Sequence, residues 1–230
     1  MASIKFNGML DARLLIRAMC LVLGIAELLA SGGCGQSIED SNPAEAARKT
    51  LAIFSSSKES RRRWVSIFGR SGAGLSPEVG EPLEDFMIRL DELQKFNASS
   101  DPAILLHSTE TVLFPVIVQN VRTAVLAVGR SDGAWRYVYL EEGGSSNSLF
   151  AARDKVRREK ASSLGELQSE MFVMRVPSIG LDFLGQRKDG SIVVTPQQSE
   201  FGLVQGNSLD LAEAVRLIQP VARQQNGYPI

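Results

Sequence analysis

Two stretches of this sequence are strongly patterned as β-hairpins, and they restrict the fold more than any other feature. Residues 111–140 read TVLFPVIVQNVRTAVLAVGRSDGAWRYVYL, and residues 171–196 read MFVMRVPSIGLDFLGQRKDGSIVVTP. Both are rich in valine and aromatic residues, which favour extended backbone. Each contains an Asp-Gly pair, which is a strong short-range signal for a tight hairpin turn. The first stretch predicts strands at about 112–118, 121–129 and 134–140, so the chain is expected to build an antiparallel sheet.

The two stretches also resemble copies of one unit. When Val118 is aligned with Val176, 58 positions later, the two Asp-Gly pairs fall within one position of each other. Each hairpin is followed by an amphipathic helical pattern, which opens with Asn147-Ser148-Leu149 and, 60 positions later, with Asn207-Ser208-Leu209. Asn and Ser are both good N-cap residues. We predict two βββα units related by a pseudo-twofold axis and sharing one sheet; chance recurrence of common hairpin and cap signals is the alternative.

Proline in the first strand gives a further expectation about the sheet. Pro115 has no backbone N–H to donate to a neighbouring strand. A proline also discourages pairing with other chains when it lies on an outer strand. The first strand is therefore predicted at an edge of the sheet.

The segment before the first unit is predicted to be helical. Asn42 is an N-cap with Pro43 at the first helical position, and this helix is expected to run to about Phe54. A second short helix is predicted in ESRRRWVSIFG, residues 59–69, and a third in PLEDFMIRLDELQKF, residues 82–96. The apolar residues that recur at helical spacing in the third are Leu83, Phe86, Met87, Leu90, Leu93 and Phe96.

Strands and helices are thus segregated along the chain, which is typical of an α+β fold. We predict an antiparallel β-sheet from two βββα-like repeats, with an amino-terminal helical segment packed on it. The expected boundaries are a helical segment at 43–100, a first unit at 101–160 and a second unit at 161–230.

The start of the chain has the anatomy of an export signal. Residues 1–17 carry Lys5, Arg13 and Arg17 with one acid, and residues 18–30 read AMCLVLGIAELLA, in which Glu27 is the one charge. A positive segment followed by a short apolar segment is typical of a secretory signal peptide. The apolar run is shorter than the about 20 residues that cross a bilayer. We therefore predict a cleaved signal.

Small residues then lead directly into a cysteine. Ser31, Gly32 and Gly33 precede Cys34, and this arrangement resembles the lipobox of bacterial lipoprotein precursors. In that family the cysteine is acylated on sulfur and becomes the mature amino terminus. Ser31 departs from the pattern, which prefers an aliphatic residue three positions before the cysteine.

The resemblance implies a signal peptide at 1–33, lipidation of Cys34 and a polar tether at 34–42. It also implies a membrane contact through the lipid anchor and a location in the bacterial cell envelope. The residue after Cys34 is not aspartate, which is compatible with the outer membrane. Two other interpretations stay open: secretion without lipid, and an uncleaved buried helix that ends at Gly32-Gly33.

Composition excludes several classes of function. Removal of residues 1–33 takes three basic and two acidic residues from totals of 25 and 26, which leaves 22 basic against 24 acidic residues. Nucleic-acid binders concentrate positive charge, so no nucleic-acid partner is expected. Without Cys20, Cys34 has no disulfide partner, and one cysteine with one histidine is too few for a zinc site. No metal and no cofactor are predicted.

Two groups of charged residues and one glycine-rich segment are candidate sites. Arg61, Arg62 and Arg63 fall short of the four to eight basic residues usual in lipid-binding clusters, so a solvated helix face is predicted. The segment 69–82, GRSGAGLSPEVGEP, has no lysine for a phosphate-binding loop and is predicted to be a surface connection. An exposed acidic face is expected for four residues of the third helix, namely Glu84, Asp85, Asp91 and Glu92.

Catalytic patterns are weak throughout. His107, the one histidine, borders an apolar stretch and is predicted to be structural. The leading hypothesis is a lipid-anchored envelope protein that binds or assembles with an envelope partner and is not catalytic. The alternative is an envelope hydrolase with a carboxylate or serine site. A pocket that unites Asp182, Glu200 or His107 would favour the hydrolase, whereas an apolar patch or open strand edge would favour binding.

Overall fold

A nine-stranded sheet is the centre of the described part of the chain. The structure, a computed structural model, describes residues 42–56, 77–161 and 170–225, all within one compact unit, Glu39–Ile230. The strands are β1 Glu78–Val79, β2 Leu83–Met87, β3 His107–Val118, β4 Val121–Ser131, β5 Ala134–Glu141, β6 Glu170–Val176, β7 Leu181–Lys188, β8 Ser191–Pro196 and β9 Leu209–Asp210. The helices are α1 Pro43–Ser56, α2 Leu90–Lys95, α3 Gly144–Ala161 and α4 Leu211–Gln224.

Two antiparallel meanders, a first of β3–β5 and a second of β6–β9, flank the central strand β2. The sheet order is β5-β4-β3-β2-β6-β7-β8-β9, and β1 pairs with β3. Every described pairing is antiparallel except that of β2 with β6, which runs in parallel from Glu84 opposite Phe172 to Met87 opposite Arg175. The fold is therefore a mixed α/β arrangement around an open, mostly antiparallel sheet.

The hairpin predictions are confirmed at both Asp-Gly pairs. Asp132 and Gly133 have φ of 53° and 81°, and Asp189 and Gly190 have φ of 49° and 77°. Two successive positive φ angles define the turn whose twist matches that of the flanking strands. The predicted strands at 112–118, 121–129 and 134–140 all lie within observed strands, and β3 begins earlier, at His107.

Helices cover both faces of the sheet. Glu84 lies opposite both Val112 and Phe172, so these two side chains share one face. α1 packs on that face of the first meander and α4 on that face of the second. α3 packs on the other face, where Leu149 and Phe150 contact residues from both meanders. The sheet is the middle layer of three.

The helix predicted at 82–96 is wrong over its first half. Residues 83–87 form β2, the central strand, and only Leu90–Lys95 are helical. Leu83 is buried on the face that α3 covers. Phe86 is buried on the opposite face, in the apolar cluster that includes α4. A central strand that is covered on both faces has no clear two-residue alternation, so its apolar residues also fit a helical spacing. The segment 43–100 is therefore not wholly helical.

The prediction for Pro115 is also wrong, because β3 is an interior strand between β4 and β2. The carbonyl of Pro115 accepts a hydrogen bond of 2.8 Å from the N–H of Gly80, in the bend between β1 and β2. Within a strand the N and O of one residue point to the same side. The missing N–H of Pro115 therefore faces this bend rather than β4.

Both predicted N-caps of the later helices are displaced. α3 begins at Gly144, so Asn147 lies inside its first turn. α4 begins after Asp210, whose Oδ1 accepts from the N–H of Ala212 at 2.8 Å. The two meanders occupy equivalent places about β2, but α3 and α4 lie on opposite faces. A duplicated βββα unit is accordingly not confirmed.

The first predicted helix is confirmed as α1. The Oδ1 of Asn42 accepts a hydrogen bond of 2.9 Å from the N–H of Ala44, and Leu51 is buried. Phe54 packs edge-to-face on Tyr137 with 5.2 Å between ring centroids. Four of the predicted segments lie wholly or mostly outside the described residues. They are the signal at 1–33 with Cys34, the tether at 34–42, the helix at 59–69 with its three arginines, and the segment 69–82.

Candidate functional site

A bulge in β3 lies beside a group of buried charged side chains. Asp85 lies opposite Thr111, whereas Phe86 lies opposite Ser108, so β3 has two additional residues between them. Glu110, one of these, has φ of 53°, in the left-handed region that non-glycine residues seldom adopt. The other, Thr109, donates from Oγ1 to the backbone oxygen of Asp85 at 2.9 Å and to its Oδ2 at 3.3 Å. Bulges of this kind redirect side chains.

Asp85 forms an ion pair across the junction of the two meanders. The Nε of Arg175 on β6 donates to Oδ1 of Asp85 on β2 at 2.9 Å. Asp85 is only 8% exposed, so the expectation of an exposed acidic face is wrong for this residue. Burial raises the pKa of the Asp85 carboxyl above its ordinary value of 3.8, and Arg175 and Thr109 offset that rise only in part.

Further polar groups surround this pair on the α3 side of the sheet. Asp182 on β7 lies opposite Arg175. Tyr139 on β5 is half-buried, and burial raises its phenol pKa above 10.0, with a partial offset from Arg175. Ser146, near the start of α3, is fully buried. We call Asp85, Thr109, Tyr139, Arg175 and Asp182 the polar site.

The polar site is built mainly to hold strands together. Both carboxylate oxygens of Asp85 already accept hydrogen bonds, one from β6 and one from β3. The Nη2 of Arg175 is buried and has no hydrogen-bond partner among the described residues. A buried charge without its partner is strongly destabilising, which makes the pair an essential contact between β2 and β6.

A second charged cluster attaches α3 to the sheet. Arg153 is 6% exposed, donates to the backbone oxygen of Glu81 and to Asp154, and lies over the ring of Phe150 at 4.8 Å. Arg157 pairs with the Glu81 carboxylate, and that hydrogen bond lowers the pKa of Glu81 below its ordinary value. Each nitrogen of the Arg153 guanidinium donates a hydrogen bond within the fold, so this cluster is a structural clamp.

No protein-family model matches the chain, and neither a curated protein nor a solved structure shows significant similarity to it.

Two of the surface clefts in the described part of the chain border helices α3 and α4. The first, of about 200 Å³, lies between α3 and strands β6 to β8, and its floor is formed by Val156, Met171, Leu184 and Val193. Its rim is polar and includes Thr195 and Ser208, whose hydroxyls are hydrogen-bonded at 2.8 Å. The second, of about 520 Å³, is an open groove along α4. The first volume is below the roughly 300 Å³ at which small-molecule pockets begin.

The residues predicted as possible catalytic groups are not brought together in either cleft. His107 is half-buried at the start of β3, and its Nε2 contacts a carboxylate oxygen of Glu92 on α2. Asp182 belongs to the polar site, and Glu200 is exposed in the loop after β8. Residues 42–56, 77–161 and 170–225 contain no group of three potential metal ligands, nor a helix with the length and hydropathy for a membrane crossing.

Sequence reasoning missed the pairing of Asp85 with Arg175. A usable signal was present, because Arg175 is the one charge inside the apolar run MFVMRV, and a charge within a buried strand needs a partner. The identity of that partner depended on the position of residues 83–87 in the sheet.

Proposed function

We propose that this protein is a bacterial lipoprotein, anchored in the cell envelope by acylated Cys34, which binds an envelope partner and is not an enzyme. The main support for the lipid anchor is the order of a basic segment, a short apolar segment and small residues before Cys34. The described fold supports it, because α1 begins at Pro43, directly after the polar stretch GQSIEDSN. A folded domain behind a short polar tether is the arrangement that a lipid anchor requires.

The binding part of the proposal is supported by the cleft between α3 and the second meander. Its apolar floor and polar rim suit the insertion of an apolar side chain from a protein partner. Strand addition has less support, because β5 is bulged at Val138 and β9 has only two residues. Short or bulged edge strands discourage pairing with other chains.

One observation supports the hydrolase alternative, namely that the pKa of Asp85, which lies beside Asp182, is raised. A general acid needs access to its substrate, and Asp85 is buried with both oxygens engaged. Binding is therefore the better supported function.

Duplication of a βββα unit also remains a proposal. The equivalent places of the two meanders about β2 support it, and the opposite placement of α3 and α4 counts against it.

The lipid anchor is tested by intact mass and amino-terminal peptide analysis of protein purified from bacterial membranes. We expect the wild type to begin at Cys34 with added acyl mass, and Cys34→Ala to lose both that mass and membrane retention. Cys20→Ala is the matched control, because it removes the other cysteine and should behave as the wild type. An unmodified chain with Cys20 still present would refute the proposal.

A further inference from the structure

The cleft between α3 and strands β6 to β8, which we call the α3 cleft, has a methionine in its floor. Met171 is the second residue of β6 and lies opposite Gln186 of β7, which also lines this cleft. The other floor side chains are those of Val156, Leu184 and Val193, which are hydrocarbon throughout. Of these four side chains, Met171 is the one that a mild oxidant converts into a polar group.

The three methionines of the described ranges differ in their access to solvent. Met174 is fully buried in the apolar cluster that includes α4. Met171 is half-buried, and it borders a cleft that is open to solvent. Met87 is half-buried too, but it lines neither of the two clefts. Since the oxidation of a thioether follows its exposure, a peroxide reaches Met171 through the cleft, whereas Met174 is protected.

The surroundings of Met171 are compatible with the sulfoxide as well as with the thioether. The amide of Gln186, on the opposite strand, carries two donor hydrogens. The hydroxyls of Thr195 and Ser208 lie on the polar rim. A sulfoxide oxygen at this place has donors or water within the cleft, so it avoids the cost of a buried acceptor without a partner. Met171 also packs only at the margin of the apolar cluster under α3, so the fold tolerates the change.

We propose that Met171 is an oxidation site, and that its sulfoxide turns the floor of the α3 cleft from apolar to polar while the fold is retained. A lone pair of Sδ attacks one oxygen of hydrogen peroxide, and the S–O bond forms as the O–O bond breaks. The proton of the transferred oxygen passes to the departing oxygen, which leaves as water. Sulfur thereby loses two electrons and the peroxide gains two.

The oxidation site itself is independent of any partner, whereas its consequence for binding rests on the function proposed above. In that proposal an apolar side chain of the partner inserts into the α3 cleft. A sulfoxide in the floor places a polar oxygen where that side chain would lie. Oxidation of Met171 would therefore weaken the binding of such a partner.

The first measurement compares the oxidation rates of the methionines in the folded, full-length protein, with no partner or lipid present. The protein is treated with hydrogen peroxide and digested with trypsin at intervals. Met171 and Met174 lie in one peptide, 161–175, where fragment ions separate them, and Met87 lies in another, 71–89. We expect Met171 to be oxidised at least about tenfold faster than Met174, because a buried thioether reacts only when the fold opens. Equal rates would overturn the proposal.

The second measurement locates the change by methyl NMR of the oxidised protein. We expect shifted signals from Val156, Leu184 and Val193, which line the cleft, and unchanged signals from Ile218 in the α4 core. Met171→Leu is the matched control, because leucine keeps a similar apolar volume and has no sulfur. After the same treatment it should show none of the cleft shifts. Cleft shifts that persist in this variant, or loss of signal dispersion in the oxidised wild type, would contradict the proposal.

Discussion

At the scale of single residues, the Asp85–Arg175 pair is the contact with the clearest consequence. It lies where β2 and β6 join the two meanders, and it unites a buried carboxylate with a guanidinium from the other half of the sheet. Removal of either partner leaves the other buried without compensation, a loss of about 3–5 kcal/mol in comparable pairs. The pair is thus a sensitive probe of the central junction.

Asp85→Asn is predicted to change how stability depends on pH. Because burial raises the pKa of Asp85 in the folded state, protonation of this carboxyl adds a stabilising increment that is complete below the unfolded pKa of 3.8 and is lost as pH rises through the folded pKa. The stability of the wild type relative to Asp85→Asn should therefore fall with rising pH across that interval. Urea unfolding of both proteins at a series of pH values measures it.

Glu81→Gln is the matched control for that experiment. The pKa of Glu81 is lowered from 4.5 by Arg157, so its contribution is present above 4.5 and is lost as pH falls through the folded pKa. The stability of the wild type relative to Glu81→Gln should change in the opposite direction, and weakly, because Glu81 is exposed. A difference between wild type and Asp85→Asn that is independent of pH would contradict the predicted role of burial.

At the scale of elements, α2 and α4 cap each other. The Nε2 of Gln219 on α4 donates to the carbonyls of Leu93 and Phe96 at the end of α2. In return, the Nε2 of Gln94 on α2 donates to the carbonyls of Ala222 and Gln225 at the end of α4. The last carbonyls of a helix have no partner within it, so this exchange explains how a helix of six residues is retained.

Gln219→Ala is predicted to lower the free energy of unfolding by about 1–2 kcal/mol, because two partly buried carbonyl groups, those of Leu93 and Phe96, lose their hydrogen-bond donor. Gln94→Ala should cost a similar amount. The double variant should cost less than the sum if the two caps depend on one another. Denaturant titration of the three variants, with the exposed Ile104→Ala as control, provides the values. Strict additivity would show that the caps act independently.

At the scale of the whole described fold, helix α3 packs against both meanders of the sheet. Leu149 is fully buried, in a cluster that includes Leu113 and Val125 of the first meander and Val173 and Leu184 of the second. β2 and β6 provide the direct strand contact between those halves. The described fold is therefore expected to unfold in one cooperative transition.

Leu149→Ala is predicted to destabilise the protein by about 2–5 kcal/mol, the usual cost of emptying a buried leucine site. The unfolding should stay a single transition, since the cluster belongs to both meanders. Circular dichroism and tryptophan fluorescence should report the same midpoint. Ile104→Ala, at a site that is 64% exposed, should change stability by less than about 0.5 kcal/mol. Separate transitions for the two signals would show that the meanders unfold independently.

Local structure that depends on neighbouring residues could be predicted from the amino-acid sequence. The predictions were correct for the Asp132-Gly133 and Asp189-Gly190 hairpins, for the strands that flank them and for the Asn42 cap of α1. Turn and cap geometry is set within a few residues. Three features could not be predicted in this way: residues 83–87 form the central strand, Pro115 lies inside the sheet, and Asp85 is buried against Arg175. Each depends on pairing between segments distant in the sequence, where burial on both faces outweighs local propensity.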